Sequence, residues 1–371
     1  MKEFSIIERF FTAQTQPRQD VMIGVGDDCA ITTVPTNQSL ATTTDTLVAG
    51  THFLHGTHPS DIAHKALAVN LSDLAAVGAV PAWINLALSL EEIDEDWLDD
   101  FSDTLARLCE YYGINLIGGD TTKGPLSITI TAQGFVPPES VATRSGANRG
   151  DLIYVTGTLG DAGAGLDTLL GKLDCYAVAD LSHQEQASAE AFLRSRHHRP
   201  TPRLLAGTAL RRTISSCIDI SDGLLGDIQH IMKASQCGAI IHVDKLPISE
   251  HLAKVVSPEQ AMTYALSSGD DYELCFTLPE HNVSELETLL NSSNINFTCV
   301  GQMVGGNELS LMHHNMPYTA VSEAFEHQFI VQASNISEGN GKSLTLLGLG
   351  VSSSKRVAHS RFQSSLCSAS R

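Results

Sequence analysis

The chain has 371 residues and a formal net charge of −19, from 42 Asp and Glu residues against 23 Lys and Arg. Nucleic-acid binding relies on basic patches, so this acidic balance argues against it. No run approaches the roughly 20 apolar residues of a membrane span. The eight cysteines form no CxxC pair. We therefore expect a globular protein of the reducing cytoplasm, long enough for two domains.

The first part of the chain predicts alternating strands and helices. The segment MKEFSIIERFF favours a short amphipathic helix, and QDVMIGVGDDCAITTV favours a strand, a turn and a second strand. A β-rich run, QSLATTTDTLVAG, precedes the helical pattern HPSDIAHKALAVNLSDLAAVGA. After it come the strand PAWINLALSL, the helix DEDWLDDFSDTLARLCEYYG and the strands INLIGGDTT and LSITITAQGFV. This mixture indicates an α/β or α+β fold.

A polar, glycine-containing stretch, TRSGANRGDLIYVTG, indicates a domain boundary. We place domains at 1–147 and 148–332. The basic run RSRHHRPTPR is interpreted as linker-like, with His197 and His198 on the surface. Residues 333–371 are rich in serine, and we expect them to form a disordered tail without an assigned function.

Aspartates recur where apolar segments end. They lie in GVGDDCA, TTTDT, LIGGDTT, IDISDGL and SSGDDYEL. Asp73 differs, because it interrupts the buried-helix pattern NLSDLAAVGA, where a carboxylate is costly without a compensating charge. Any one of these aspartates alone is explained by a turn or a helix cap. Their number instead favours a metal site, and oxygen ligands suit Mg²⁺ or Mn²⁺.

The sequence contains no Walker A motif, HRD loop or Rossmann GxGxxG. In their order, however, GDDCA, TDTLVAGTHF, KALAVNLSDLAAVGA, LIGGDTTKGPLSITI, TRSGANRGDLIYVTG, SDGLLGDI and GDDYELCF resemble the thiamine-monophosphate kinase family over about residues 1–330. That family belongs to the aminoimidazole-ribonucleotide-synthetase-like superfamily. The resemblance implies two α/β domains and a homodimer formed through the N-terminal sheet, which closes into a barrel.

The resemblance also implies a reaction and a site. ATP would donate its γ-phosphoryl group directly to thiamine monophosphate, with several Mg²⁺ ions. Its implied metal ligands are Asp28, Thr43, Thr44, Asp45, Asp73, Asp120, Asp219 and Asp222. The residues implied to contact ATP are Tyr112, Gly119, Asp120, Arg144 and Ser221. The implied catalytic set is Asp45, Asp120, Arg144 and Asp222, and the implied substrate contacts are His52, Asp270 and Phe325.

Two positions depart from the family pattern. The family commonly has GEDYEL, whereas Asp270 stands here in place of the glutamate. The family often has a tryptophan near the C-terminus that stacks on thiamine, whereas this chain offers Phe325, with Tyr318 as an alternative. Ordinary explanations also stand for Tyr112 as a core aromatic, Arg144 as a solvated cation and His52 as a strand-end histidine.

Three other functions fit parts of the pattern. Another ATP-using synthetase of the superfamily would share the aspartates, although the selenium branch is disfavoured because no reactive Cys or mobile Gly-rich segment lies near the N-terminus. A nucleotide-binding protein without turnover would bind ATP only. A metal-dependent phosphatase would release phosphate without needing ATP.

Overall fold

The N-terminal half is built on a four-stranded sheet with two long helices packed on one face. The structure, a computed structural model, describes residues 3–12, 18–173, 181–291 and 295–320. Within them the sheet order is β3-β6-β4-β5, and β1 pairs with β2 separately. The elements are α1 (Glu3–Ile6), continued by a π-helix (Ile7–Phe11), β1 (Val21–Ile23), β2 (Ile31–Thr32), β3 (Ser39–Val48), α2 (Pro59–Ala76), β4 (Val80–Leu90), α3 (Glu95–Tyr112), β5 (Asn115–Lys123) and β6 (Ser127–Val136).

Local sequence signals explain where the two long helices begin and end. The His58 side chain accepts the N–H of Ser60 at the start of α2, where Pro59 occupies the first helical position. The Asp94 carboxylate accepts two backbone N–H groups at the start of α3, and Gly113 ends that helix in the left-handed conformation at φ 67°. The predicted helices are therefore confirmed near their predicted ends.

The C-terminal half is a larger mixed sheet covered by helices. Its strand order among the described residues is β13-β12-β9-β11-β7-β10-β8, and β12 pairs with β9 in parallel. The elements are β7 (Leu152–Thr156), α4 (Asp161–Leu169), α5 (His183–His198), α6 (Leu204–Leu210), β8 (Ser216–Asp219), α7 (Leu224–Ser235), β9 (Gly238–His242), α8 (Glu250–Val255), α9 (Pro258–Ser267), β10 (Leu274–Leu278), α10 (Val283–Asn291), β11 (Phe297–Val304), β12 (Leu309–His313) and β13 (Met316–Tyr318). The predicted α/β class is confirmed.

Helix α2 joins the two halves. It packs on β3, β6 and α3 on one side and on α5, α6 and β8 on the other. Such a helix is apolar on most of its surface, which explains the KALAVNLSDLAA pattern. Residues of α2 therefore lie within reach of both halves. Within the described ranges no helix combines the length and apolarity needed to cross a bilayer.

The basic run RSRHHRPTPR is not a linker, and this prediction was wrong. Its first five residues form the end of α5, and His197 is buried rather than on the surface. Arg196 and Arg203 donate to the buried carboxylate of Glu273. The predicted boundary at 147/148 lies in a connection, residues 141–151, without helix or strand, and it stays a prediction.

Candidate active site

Two residues of the predicted site, Thr43 and Asp219, meet α2 from the two halves of the chain. The Thr43 hydroxyl of β3 donates to the Asp73 carboxylate. One residue earlier on α2, the Ser72 hydroxyl donates to Asp219 Oδ2 over 2.8 Å, across the contact between the two halves. Asp45 lies two residues after Thr43 and therefore on the same face of β3. The structure thus brings Thr43, Asp45 and Asp73 together and links them to Asp219.

The SDG loop after β8 is held by a buried carboxylate. Asp227 Oδ2 accepts the backbone N–H groups of Ser221 and Asp222, each over 3.0 Å. Burial raises the pKa of Asp227 well above its ordinary value, and the neighbouring Asp222 and Asp219 carboxylates raise it further. A Cβ on Gly223 would lie 2.8 Å from the Ser267 carbonyl carbon, so only glycine fits there. The loop therefore presents several carboxylates in one fixed geometry.

The predicted substrate residues His52 and Asp270 meet at one buried lysine. Lys65 Nζ lies 3.1 Å from Asp270 Oδ2 and 3.3 Å from the His52 carbonyl oxygen. His197 adds its Nε2 at 3.5 Å from the same nitrogen. The sequence interpretation missed both Lys65 and His197. A single lysine within an otherwise small and apolar helix pattern was the available signal for Lys65.

A separate cleft contains the exposed aspartates. It has a volume of about 940 Å³, and its lining includes Asp27, Asp28, Gly119 and Asp120. A Cβ on Gly119 would lie 1.8 Å from the Leu86 carbonyl oxygen, so this glycine permits the close approach of β5 to β4. The cleft therefore unites the GDD turn with the GGD segment, which are distant in the sequence.

The sheet register separates Asp120 from Asp45. Gly119 occupies the same cross-strand row as Asp45, through Leu86 and Ile130. Asp120 falls in the next row, and alternate rows face opposite sides of a sheet. Thr44 also lies on the side away from Asp45, where its hydroxyl contacts that of Thr131 over 2.9 Å. The structure does not bring Asp120 or the Thr44 hydroxyl together with Asp73.

The remaining predicted residues that the structure describes lie at the surface or pack against the hydrophobic cores. Arg144 is exposed, and its backbone carbonyl accepts the Ser235 hydroxyl over 3.2 Å. Tyr112 packs partly buried against the N-terminal core, and burial raises its pKa. Phe325 lies outside the described residues, whereas the alternative Tyr318 packs against the C-terminal core.

The acidic groups supply oxygen ligands. Over the part of the chain that the structure describes, no three His, Cys, Asp or Glu side chains converge as a ready-made metal site. Asp28 and Asp120 are exposed in the cleft, while Asp73 and Asp219 are held by hydroxyl groups. Exposed carboxylates beside a cleft are able to accept cations that arrive with an anionic ligand.

Family comparison assigns this architecture to a class. The model of the AIR synthase related protein N-terminal domain matches residues 26–136, and that of the C-terminal domain matches residues 148–314. The two halves of the chain thus match the two domains of an AIR synthase related protein.

Individual relatives narrow the class. The thiamine-monophosphate kinase of Escherichia coli strain K12 is 52% identical over 326 residues, covering 88% of this chain and 98% of the relative. The crystal structure of thiamine-monophosphate kinase from Stenotrophomonas maltophilia K279a has a TM-score of 0.75 at 42% identity, covering 83% of this chain and 96% of that one. AaThiL complexed with AMPPCP and TMP has a TM-score of 0.67 at 28% identity, covering 80% and 89%. The chain belongs to the thiamine-monophosphate kinase family, and the predicted family of enzymes is confirmed.

Proposed function

We propose that this chain transfers the γ-phosphoryl group of ATP to thiamine monophosphate, giving thiamine diphosphate and ADP. An oxygen of the acceptor phosphate forms the new bond to the γ-phosphorus, and the bond from that phosphorus to the bridging oxygen of ADP breaks. The observation that carries the proposal is the match at 52% identity to 98% of the length of a curated thiamine-monophosphate kinase. The neighbour complexed with AMPPCP and TMP supports it, since that pair combines an ATP analogue with the acceptor we propose.

The oxygen-rich groups fit Mg²⁺ shared with substrate, because this ion usually keeps water ligands and binds through one or two carboxylates and phosphates. Asp27, Asp28 and Asp120 would hold it in the cleft. Thr43, Asp45 and Asp73 would form a second group on the other face of the sheet, completed by Asp219 and Asp222 of the SDG loop. Thr44 lies on the opposite face of β3 from Asp45, the face of Asp120, and would belong with the group in the cleft. When bound, the ions would screen the phosphates of two anionic substrates from each other.

Chain residues would orient ATP and the acceptor. Arg144 presents a guanidinium whose planar fork suits phosphate oxygens. Gly119 lines the cleft, and Ser221 lies on the fixed SDG loop. Tyr112 would flank the nucleotide. His52 would contact the phosphate of thiamine monophosphate, Asp270 would contact the same substrate, and Phe325 is the proposed stacking residue.

We also propose a homodimer formed through the N-terminal sheet. Leu40 and Val80 lie exposed on either side of Phe135 in one cross-strand row. Met22 on β1 exposes 70% of its surface. Two exposed apolar residues in one row of the four-stranded sheet, with a third on the separate strand β1, favour a contact with a second copy. Mass measurement in solution would test this dimer, and a monomer at micromolar concentration would contradict it.

A product assay tests the reaction. Purified protein is mixed with ATP, Mg²⁺ and thiamine monophosphate, and every nucleotide and thiamine species is quantified. We expect equal amounts of thiamine diphosphate and ADP, and no product without Mg²⁺. Thiamine replaces the monophosphate as a control acceptor, and we expect no product from it.

Other products would contradict the proposal in distinct ways. Free phosphate without thiamine diphosphate would indicate a phosphatase. AMP would indicate transfer of a pyrophosphoryl group. ADP formation that needs a different acceptor would indicate another synthetase of the class, and ATP binding without any product would indicate a nucleotide-binding protein.

A further inference from the structure

Lys65 lies deep in α2 with only 2% of its surface exposed. Its ammonium group has three N–H donors and lies near two oxygen atoms and an imidazole nitrogen, which come from three segments of the chain. Asp270 Oδ2 is at 3.1 Å, the His52 carbonyl oxygen at 3.3 Å and His197 Nε2 at 3.5 Å. The lysine therefore connects the loop after β3, the end of α5 and the loop before β10.

The loop that Lys65 holds has an uncommon backbone. Asp270 has φ 73° and Tyr272 has φ 51°, both in the left-handed region. Such a conformation persists only where surrounding contacts impose it. Here the Tyr272 hydroxyl donates to Asp270 Oδ1 over 3.2 Å, while Lys65 takes the other carboxylate oxygen. The carboxylate is fixed through both of its oxygens.

Stability alone is a poor reason to keep a buried lysine. Replacing a buried ion pair by apolar residues of similar volume is often neutral or stabilising. A lysine that connects two residues which the proposed function assigns to the acceptor substrate has a more specific use. His52 belongs to the N-terminal half and Asp270 to the C-terminal half, so their separation depends on how the halves are joined.

We propose that Lys65 is a positioning residue for the acceptor substrate. It fixes the His52 segment relative to the Asp270 carboxylate, and so sets the geometry in which the thiamine phosphate is bound. Lys65 acts through these two residues rather than on the reacting phosphates. This inference rests on the proposed function for the identity of the acceptor.

Steady-state kinetics of Lys65→Met test the proposal. Methionine keeps much of the aliphatic stem and removes all three donors. We expect the KM for thiamine monophosphate to rise about tenfold or more, with the KM for ATP within about twofold of wild type. Lys254→Met makes the same change on the exposed side of α8, and we expect wild-type values for it.

Lys65→Arg serves as a second variant that keeps the charge beside Asp270. The longer, planar guanidinium does not reproduce the three contacts of an ammonium. We expect a folded protein with a selective rise in the KM for thiamine monophosphate, smaller than that of the methionine variant. If Lys65→Met does not fold, this variant decides the outcome.

Two results would overturn the proposal: an unchanged KM for thiamine monophosphate in the folded variants, or equal rises in both KM values. Calorimetric titration of thiamine monophosphate into wild type and variants gives a readout without turnover, and we expect about tenfold weaker binding to Lys65→Met. A wild-type protein that forms no thiamine diphosphate would contradict the proposed function. That failure is distinct, because binding by wild type and variants still tests Lys65.

Discussion

The tripeptide Gly-Asp-Asp occurs twice in this chain, at 26–28 and at 269–271, in two contrasting environments. In the first copy both carboxylates are exposed beside a cleft, and the first accepts the backbone N–H of the second over 2.8 Å. In the second copy both are buried. Asp270 pairs with Lys65, and Asp271 accepts the backbone N–H of Gly160 at the start of α4 over 2.7 Å.

This difference shows that burial, rather than local sequence, determines whether an aspartate pair is available to a ligand or bonded within the protein. Exposed carboxylates keep their hydration and remain available to a cation and an anionic ligand. Buried carboxylates must be matched by protein donors, because an unmatched charge in the interior is costly. The first pair is therefore suited to binding, and the second fixes the chain around the site.

Among the variants that test this comparison, Asp270→Asn is expected to have the largest effect, which is on the free energy of unfolding. The change leaves the buried Lys65 ammonium without its charged partner, and breaking a buried pair in this way costs about 3–5 kcal/mol. Urea unfolding of wild type and variant measures the loss. A free energy of unfolding within error of wild type would contradict the buried half of the comparison.

Asp28→Asn makes the same chemical change in the exposed copy. Its expected effect, on kcat/KM, is the next largest. Loss of even an outer partner of a metal ligand costs about 10- to 100-fold, so loss of a ligand is expected to lower kcat/KM about 100-fold or more. We expect an unchanged melting temperature. Asp103→Asn, on the exposed side of α3, is the matched control. A normal kcat/KM at limiting Mg²⁺ would show that Asp28 is not a metal ligand of the site.

Asp271→Asn tests the comparison through the pH dependence of folding stability. Burial holds the pKa of Asp271 well above its ordinary value of 3.8. The folded state therefore prefers the protonated acid, and this contribution to stability is lost as the pH rises above that ordinary value. In the variant, the side chain at position 271 no longer ionises, but its amide oxygen can still accept a hydrogen bond. Relative to the variant, wild type should lose up to about 1.4 kcal/mol of stability per pH unit as the pH rises above about 4.

Denaturant unfolding at a series of pH values measures that difference. Groups that titrate alike in both proteins cancel, so the change with pH reports on Asp271 together with the Asp161 carboxyl that interacts with it. Curves for wild type and variant that stay parallel over this range would show that Asp271 does not titrate differently on folding.

The smallest expected effect concerns the contact between the halves. Ser72→Ala removes the hydrogen bond to Asp219, and the loss of one such bond costs about 1 kcal/mol. Ser284→Ala on the exposed side of α10 is the control. Chemical unfolding measures both. A value for Ser72→Ala equal to that of the control would show that this bond does not stabilise the joined halves.

Periodicity and capping residues made the elements predictable. Strand alternation marked β3, and Gly113 marked the end of α3, because these signals act over a few residues. The order of the motifs also predicted the family, which the comparisons confirm. The site residues stay predictions, since the structure gathers only some of them around α2.

The sequence by itself determined the elements, the fold class and the family, because local patterns and motif order are written along the chain. Only the tertiary structure decided which aspartates are buried and which face Asp120 and Thr44 occupy. It also decided that Lys65 and His197, 132 positions apart, meet at Asp270. The physical reason is that burial and sheet register depend on contacts between distant segments. Two identical tripeptides do not differ in sequence, so the sequence of the tripeptide cannot predict those contacts.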